Sequence, residues 1–309
     1  FLVGPYGLIT MALTYAVAIV LPIVGTFFLF FGLLEDSGYL PRLAAMMNRS
    51  LRFVGLSGKA ILPLVLGLGC DTMATLTARI LETERERLLA TLLLSLAIPC
   101  SAQLGVIMAM LGSLSWKATL IWAGTIMGVM VLVGSLASRL LPGASSDFIL
   151  ELPPLRVPLF SNLLIKTVAR MEWYLKEAVP LFLLGTALLF FLDQMGLLRL
   201  LERWSSPLVV GVLNLPARAT EAFIVGFLRR DYGAAGLYML ARTGQMDPIQ
   251  ILVSLVTMTL FVPCVAQFLV TIKERGWKAT LLMASFILPF SIAVGGVLNF
   301  LLRLLQVSL

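Results

Sequence analysis

Two five-residue stretches carry the same chemistry. Pro99-Cys100-Ser101-Ala102-Gln103 recurs as Pro263-Cys264-Val265-Ala266-Gln267. Each offers a thiol and, three residues on, an amide, a spacing that puts both on one helix face. Each also has a proline, which in a membrane helix leaves the carbonyl one turn earlier without its donor. The candidate carbonyls are those of Ser95 and Thr259. A thiol, an amide and a freed carbonyl make a polar patch; the alternative is a plain proline kink with cysteine as a small packing residue. A third stretch, Gly67-Leu68-Gly69-Cys70-Asp71-Thr72-Met73-Ala74, has glycines that let the backbone bend. Cys70 as thiolate and Met73 as thioether are soft ligands, better suited to late first-row metals than to Mg²⁺ or Ca²⁺. Asp71 is ionisable in an apolar segment, which makes it a functional candidate by default. The alternative is that Cys70 fills space and Asp71 caps a helix. The chain has no histidine, so a metal would have to be held by sulfur, carboxylate, amide or backbone oxygen. Glu35 and Asp36 end a long apolar run, as the mouth of a pathway or as a solvated helix end. Residues 81–87 form a charged run that reads as a solvated turn.

The elements that position these residues must be transmembrane helices. Of 309 residues, 60% are hydrophobic and 13% charged, against about 25% charged in a soluble domain. Runs at 8–34, 88–112, 118–138, 178–192, 249–272 and 279–302 are nearly free of charge. About 20 apolar residues cross a bilayer as a helix, with all backbone groups satisfied internally. The short alternating segments of an outer-membrane barrel do not appear. The fold class is therefore all-α, a polytopic bundle whose partner is the lipid bilayer. The formal charge of +7 comes from loops flanking the spans, as the positive-inside rule expects, and not from a nucleic-acid surface. Three cysteines in apolar runs, an odd number, argue against a disulfide framework. The chain starts at Phe1 with no signal peptide, which suggests that an N-terminal part is missing.

The two halves repeat each other. Trp116-Lys117-Ala118-Thr119-Leu120 matches Trp277-Lys278-Ala279-Thr280-Leu281; Gly25-Thr26 matches Gly185-Thr186, and Asp71 matches Asp231. We expect a first repeat over 1–140, a Pro-rich linker over 141–166 and a second repeat over 167–309. Each half holds a long proline-containing helix, a partly polar stretch, a short Gly-rich segment (58–80; 216–240), a second proline-containing helix (86–112; 248–272) and a final helix. Broken or re-entrant segments at matching places in two halves point to a transporter site. Arg229-Arg230-Asp231 falls where the first half has Gly69-Cys70-Asp71, so the duplicated site is asymmetric. If the short segments dip in without crossing, the halves are inverted, and the loop charge bias favours this over a parallel repeat.

No enzyme signature is present, and no catalytic residue is assigned. Gly55-Leu56-Ser57-Gly58-Lys59-Ala60 lacks the spacing of a phosphate loop, and Ala60 cannot hold Mg²⁺.

At these residues the chain resembles the membrane domain of the ferrous-iron transport protein B family. The resemblance covers almost the whole chain and is carried by residues 32–42, 55–59, 67–75, 79–83, 99–103 and 261–264. The family's two gate segments fall at about 58–110 and 216–270. Met73 stands where many members have proline, and Gln103 where many have arginine. The resemblance implies inward transport of Fe²⁺ across a bacterial or archaeal cytoplasmic membrane. Cys70, Cys100 and Cys264 would line the path, supported by Asp71, Met73, Gln103 and Gln267, with Glu35 and Asp36 near a mouth. It also implies a GTPase domain in cis, absent from this chain, through which alone GTP and Mg²⁺ would bind. A small cytoplasmic regulatory protein and self-association are further implied partners. The gate fold is shared with nucleoside-recognition and spore-maturation proteins. A second reading is therefore the handling of a nucleoside-like solute or a role in assembly, with Tyr232, Tyr238 and Gln245 as candidates.

Overall fold

The computed structural model describes residues 21–141 and 158–305, apart from 195 and 262. The first part of the run at 8–34 and residues 142–157 of the expected linker lie outside these. The first half comprises α1 (Leu21–Asp36), α2 (Tyr39–Phe53), α3 (Ile61–Gly69), α4 (Asp71–Thr77), α5 (Glu84–Ala97), α6 (Ser101–Ser113) and α7 (Trp116–Leu140). The second comprises α8 (Phe160–Gln194), α9 (Leu197–Gly211), α10 (Arg218–Leu228), α11 (Arg230–Arg242), α12 (Pro248–Leu260), α13 (Val265–Arg275) and α14 (Trp277–Leu304). Among the described residues the order of the α-helices matches, seven against seven, with short 3-10 turns at Gly58–Ala60 and Ala78–Ile80 in the first half in addition. Gly38 (φ 75°) joins α1 to α2 and Gly196 (φ 68°) joins α8 to α9, both in the left-handed region where glycine meets no Cβ penalty.

The prolines behave in two ways. Pro180, Pro207 and Pro289 lie inside helices. The expected helices over 86–112 and 248–272 are instead divided at Pro99 and Pro263. Ile98 is extended (φ −105°, ψ 113°), the conformation a following proline imposes. Cys100 and Cys264 then sit at the N-caps of α6 and α13, both extended. Neither Pro-Cys pair is a mere kink.

The Gly-rich segments are broken as well, by one extended residue each. Cys70 (φ −150°, ψ 113°) separates α3 from α4, and Arg229 (φ −148°, ψ 110°) separates α10 from α11. This moves the alignment by one residue. The structural counterpart of Cys70 is Arg229 and that of Asp71 is Arg230, so the match of Asp71 with Asp231 is a sequence coincidence one residue out of register.

Helices α5 and α12 form the centre. Every residue from Ile251 to Leu260 is buried, as are Leu89–Thr91 and Leu93–Ala97. Around them α4 packs on α13, and reciprocally α6 packs on α11. Helices α7 and α14 lie outside, with Leu120, Leu132, Leu136, Leu282 and Phe300 exposed. Apolar side chains in that position face lipid. Among the described residues four stretches are long and apolar enough to cross a membrane: Glu84–Ser113, Trp116–Leu140, Pro248–Arg275 and Trp277–Leu304. A fifth follows if the pair Tyr39–Phe53 and Gly58–Gly69, bent by 108°, counts as one. Helices α1 and α8 run antiparallel: Gly25 approaches Met171 and Gly32 approaches Leu163.

Candidate functional site

Eight helix ends meet around the four breaks. The C-termini of α3, α5, α10 and α12 bring carbonyls without helical donors, and the N-termini of α4, α6, α11 and α13 bring amide groups. Ser101 Oγ donates to Gly69 O at 3.0 Å, which fixes the end of α3 against the start of α6. Cys70 and Cys100 are thereby held on neighbouring chain segments. Cys264 caps α13, which packs on α4, the helix that follows Cys70. All three are thiols, each half-buried.

The most consequential contact was not legible as such in the sequence. Arg230, first residue of α11, donates to Asp71 Oδ2, first residue of α4. The pair is buried, with side-chain exposures of 4% and 3%. Arg230 also donates to Ile98 O at 3.2 Å and to Ser95 O at 3.0 Å. The carbonyl of Ser95 is thus free of its helical donor, as the proline at 99 predicts, and a guanidinium from the other half takes it up. The only sequence signal for Arg230 is a cation at the position matching a break.

The two glutamines cross between halves in opposite senses. Gln103 Nε2 donates to Met258 O at 3.0 Å, and Gln267 Nε2 donates to Ser95 Oγ at 3.1 Å. Both side chains are 0% exposed. Their oxygens, Gln103 Oε1 and Gln267 Oε1, and the second carboxylate oxygen, Asp71 Oδ1, receive no hydrogen bond. Buried acceptors without donors are rare because each forfeits its solvation. Here three acceptors in this state border one set of breaks. Met73 points elsewhere, into an apolar cluster with Phe28, Leu76 and Val270, against which Cys70 also packs. Among the described residues no three Cys, Asp or Glu side chains lie together as a group that could hold a metal ion.

Glu35 and Asp36 are tied to α8. Arg170 Nη2 reaches Glu35 Oε2 at 2.7 Å, and Lys166 pairs with Asp36. The charged run at 81–87 is not wholly solvated. Glu86 is fully buried and accepts from Ser57 Oγ at 2.9 Å, because Thr83 caps α5 and turns Glu86 inward. Arg79, at the end of the α4 segment, pairs with Glu274 of α13.

The residues considered for a nucleoside are not arranged as a stacking platform. Arg229 covers the ring of Tyr232 at 4.3 Å and Arg242 that of Tyr238 at 5.8 Å, while Gln245 is exposed. A cavity of 590 Å³ between α9, α10, α12 and α14 is lined almost entirely by apolar groups, among them Leu208, Val212, Phe223, Phe261 and Ile292.

The family model named Gate, described as nucleoside recognition, matches residues 17–114 and 175–278. A second model, described as ferrous iron transport protein B C terminus, matches residues 119–170. The chain is 27% identical over 298 residues to an Fe(2+) transporter FeoB of Staphylococcus aureus (strain COL), covering 88% of this chain and 45% of the relative. It is 27% identical over 314 residues to the protein of that name in Methanocaldococcus jannaschii, covering 90% and 47%. With that of Legionella pneumophila (strain Lens) it is 28% identical over 251 residues, covering 74% and 33%. The chain spans less than half the length of these relatives. No solved structure matches it.

Proposed function

We propose, from the premise that this chain belongs to the Gate family, that it forms the membrane pathway of a ferrous-iron transporter. The observation that carries this is the set of buried acceptors without donors, Asp71 Oδ1, Gln103 Oε1 and Gln267 Oε1, beside the thiols of Cys70, Cys100 and Cys264. Fe²⁺ is borderline in softness and takes both oxygen and thiolate, whereas Mg²⁺ takes oxygen alone. Thiolates therefore select against the more abundant ion. An incomplete donor set also suits transport, because a closed cage would hold its ion too tightly to release it. The names of the relatives point the same way. Glu35 and Asp36 would lie near a mouth, and Met73 would support Cys70 from its apolar side.

The direction of transport is inward across a cytoplasmic membrane. A GTPase domain carried by the longer protein would bind GTP and Mg²⁺; a small regulatory protein and self-association complete the proposed partners. The antiparallel packing of α1 on α8 supports an inverted repeat.

Fe²⁺ uptake into liposomes under reducing, anaerobic conditions tests the reading. Wild-type protein should take up Fe²⁺ in preference to Mg²⁺. The Cys70→Ser, Cys100→Ser, Cys264→Ser variant should lose this selectivity, and undiminished selective uptake by it would refute the ligand assignment. A thermal shift with nucleosides but none with Fe²⁺ would favour the organic solute instead.

A further inference from the structure

Arg230 occupies the place that a transported cation would want. Its guanidinium holds one oxygen of Asp71 and the carbonyls of Ser95 and Ile98. Those carbonyls end α5, where the helix macrodipole favours positive charge. Arg230 itself begins α11, where the dipole disfavours it. Its own helix therefore gives the charge no support, and its partners all belong to the other half of the molecule. Arg230 Nε has no acceptor, so the fit is incomplete. Cys70 and Cys100 adjoin these oxygens along the chain, one residue before Asp71 and two after Ile98.

We propose that Arg230 is a tethered cation that fills the oxygen half of the site when no metal is present and must withdraw for a divalent ion to bind. The proposal rests on the Fe²⁺ reading above. A bare cluster of one carboxylate and two carbonyls in a membrane interior would be costly, and any small cation could relieve it. A guanidinium on its own helix neutralises the carboxylate and takes up the two carbonyls without admitting Na⁺, K⁺ or Mg²⁺. An incoming ion must then outcompete a resident charge. An ion that gains thiolate bonds in addition to the oxygens can do so, and one that relies on oxygen alone cannot. Arg230 would therefore set selectivity without touching the metal. Its withdrawal would also release α11 from α4 and α5, coupling occupancy to the contact between halves.

The test compares wild type with Arg230→Met and Arg230→Lys. Methionine keeps much of the length and removes the charge; lysine keeps the charge but cannot span three acceptors. Co²⁺ is titrated into purified protein and read by thiolate-to-metal absorption. Fe²⁺ and Mg²⁺ uptake are measured in liposomes. Arg230→Met should bind Co²⁺ at least tenfold more tightly, discriminate less against Mg²⁺ and turn over more slowly at saturating Fe²⁺. Arg230→Lys should bind a few-fold more tightly and supplies the comparison if the methionine variant does not fold. A folded variant with wild-type affinity and wild-type selectivity would overturn the proposal and leave Arg230 a strut. A second readout needs no metal: a small cationic thiol reagent should modify Cys70 and Cys100 faster in both variants. Wild type that neither binds Co²⁺ nor takes up Fe²⁺ would refute the Fe²⁺ reading, and the thiol rates would then decide by themselves whether Arg230 fills the site.

Discussion

Removing the carboxylate from Asp71 while keeping Arg230 would leave a guanidinium that is 4% exposed with its charge unpaired. Breaking a buried pair from one side costs about 3–5 kcal/mol. Asp71→Ala should therefore lower the melting temperature in detergent sharply. The neutral pair Asp71→Asn with Arg230→Gln should regain most of the loss, and failure to regain it would mean that the ion pair is not the source. The glutamines should behave otherwise. Each makes one bond through its nitrogen, worth about 0.6 kcal/mol in a membrane protein, and carries one oxygen with no donor. Gln103→Leu and Gln267→Leu should thus change thermal stability little, yet reduce Fe²⁺ uptake severalfold. Asp71 was legible in the sequence because an acid in an apolar segment stands out. Arg230 was visible only as an offset neighbour, because nothing in a linear pattern says which carbonyls a long side chain will reach from another half of the chain.

The helices were legible where the solvent decides them. Long apolar runs have one backbone solution in lipid, and α7 and α14 fall where the runs predict. The breaks were harder. Proline at 180, 207 and 289 is carried inside a helix, whereas at 99 and 263 it ends one. At the first break Arg230 takes up the Ser95 carbonyl that Pro99 frees, and near the second Gln103 donates to Met258 O; both partners come from the other half, which is tertiary information. The joint between α10 and α11 folds back so tightly that a Cβ on Gly233 would lie 2.1 Å from Met258 Cε and 2.5 Å from Ala222 O. Backbone cannot yield as a side chain can, so Gly233→Ala should cost at least the 1–3 kcal/mol typical of overpacking. Gly128→Ala, on the lipid-facing helix α7 with open space around it, should be neutral or slightly stabilising. Thermal unfolding of the two variants side by side checks the contrast.

Across the whole molecule the halves are joined on the surface as well as in the centre. Arg79 is 58% exposed but its partner Glu274 only 6%, and the guanidinium holds both carboxylate oxygens, so the pair contributes more than the ~1 kcal/mol of a fully exposed one. Arg79→Ala should therefore lower thermal stability measurably, by more than that margin. If the repeat is inverted, single cysteines placed at Arg42, Arg139 and Arg275 in a cysteine-free background should be labelled from one side of the membrane and those at Lys117 and Arg242 from the other. Short matches at nearly constant spacing lead to the expectation of a repeat, and the order of the α-helices is consistent with it; the register at the two breaks was not legible, because one residue of slippage is invisible in so short a match. That register has a consequence for how such a chain can arise. Asp71 and Arg230 hold equivalent positions, each the residue after an extended joint. In a two-fold homodimer of a half-length ancestor both positions would carry the same residue, setting acid against acid or base against base. The opposite charges require that the two copies be free to diverge, as joining them in one chain allows, and once they pair, neither half can serve as its own partner again.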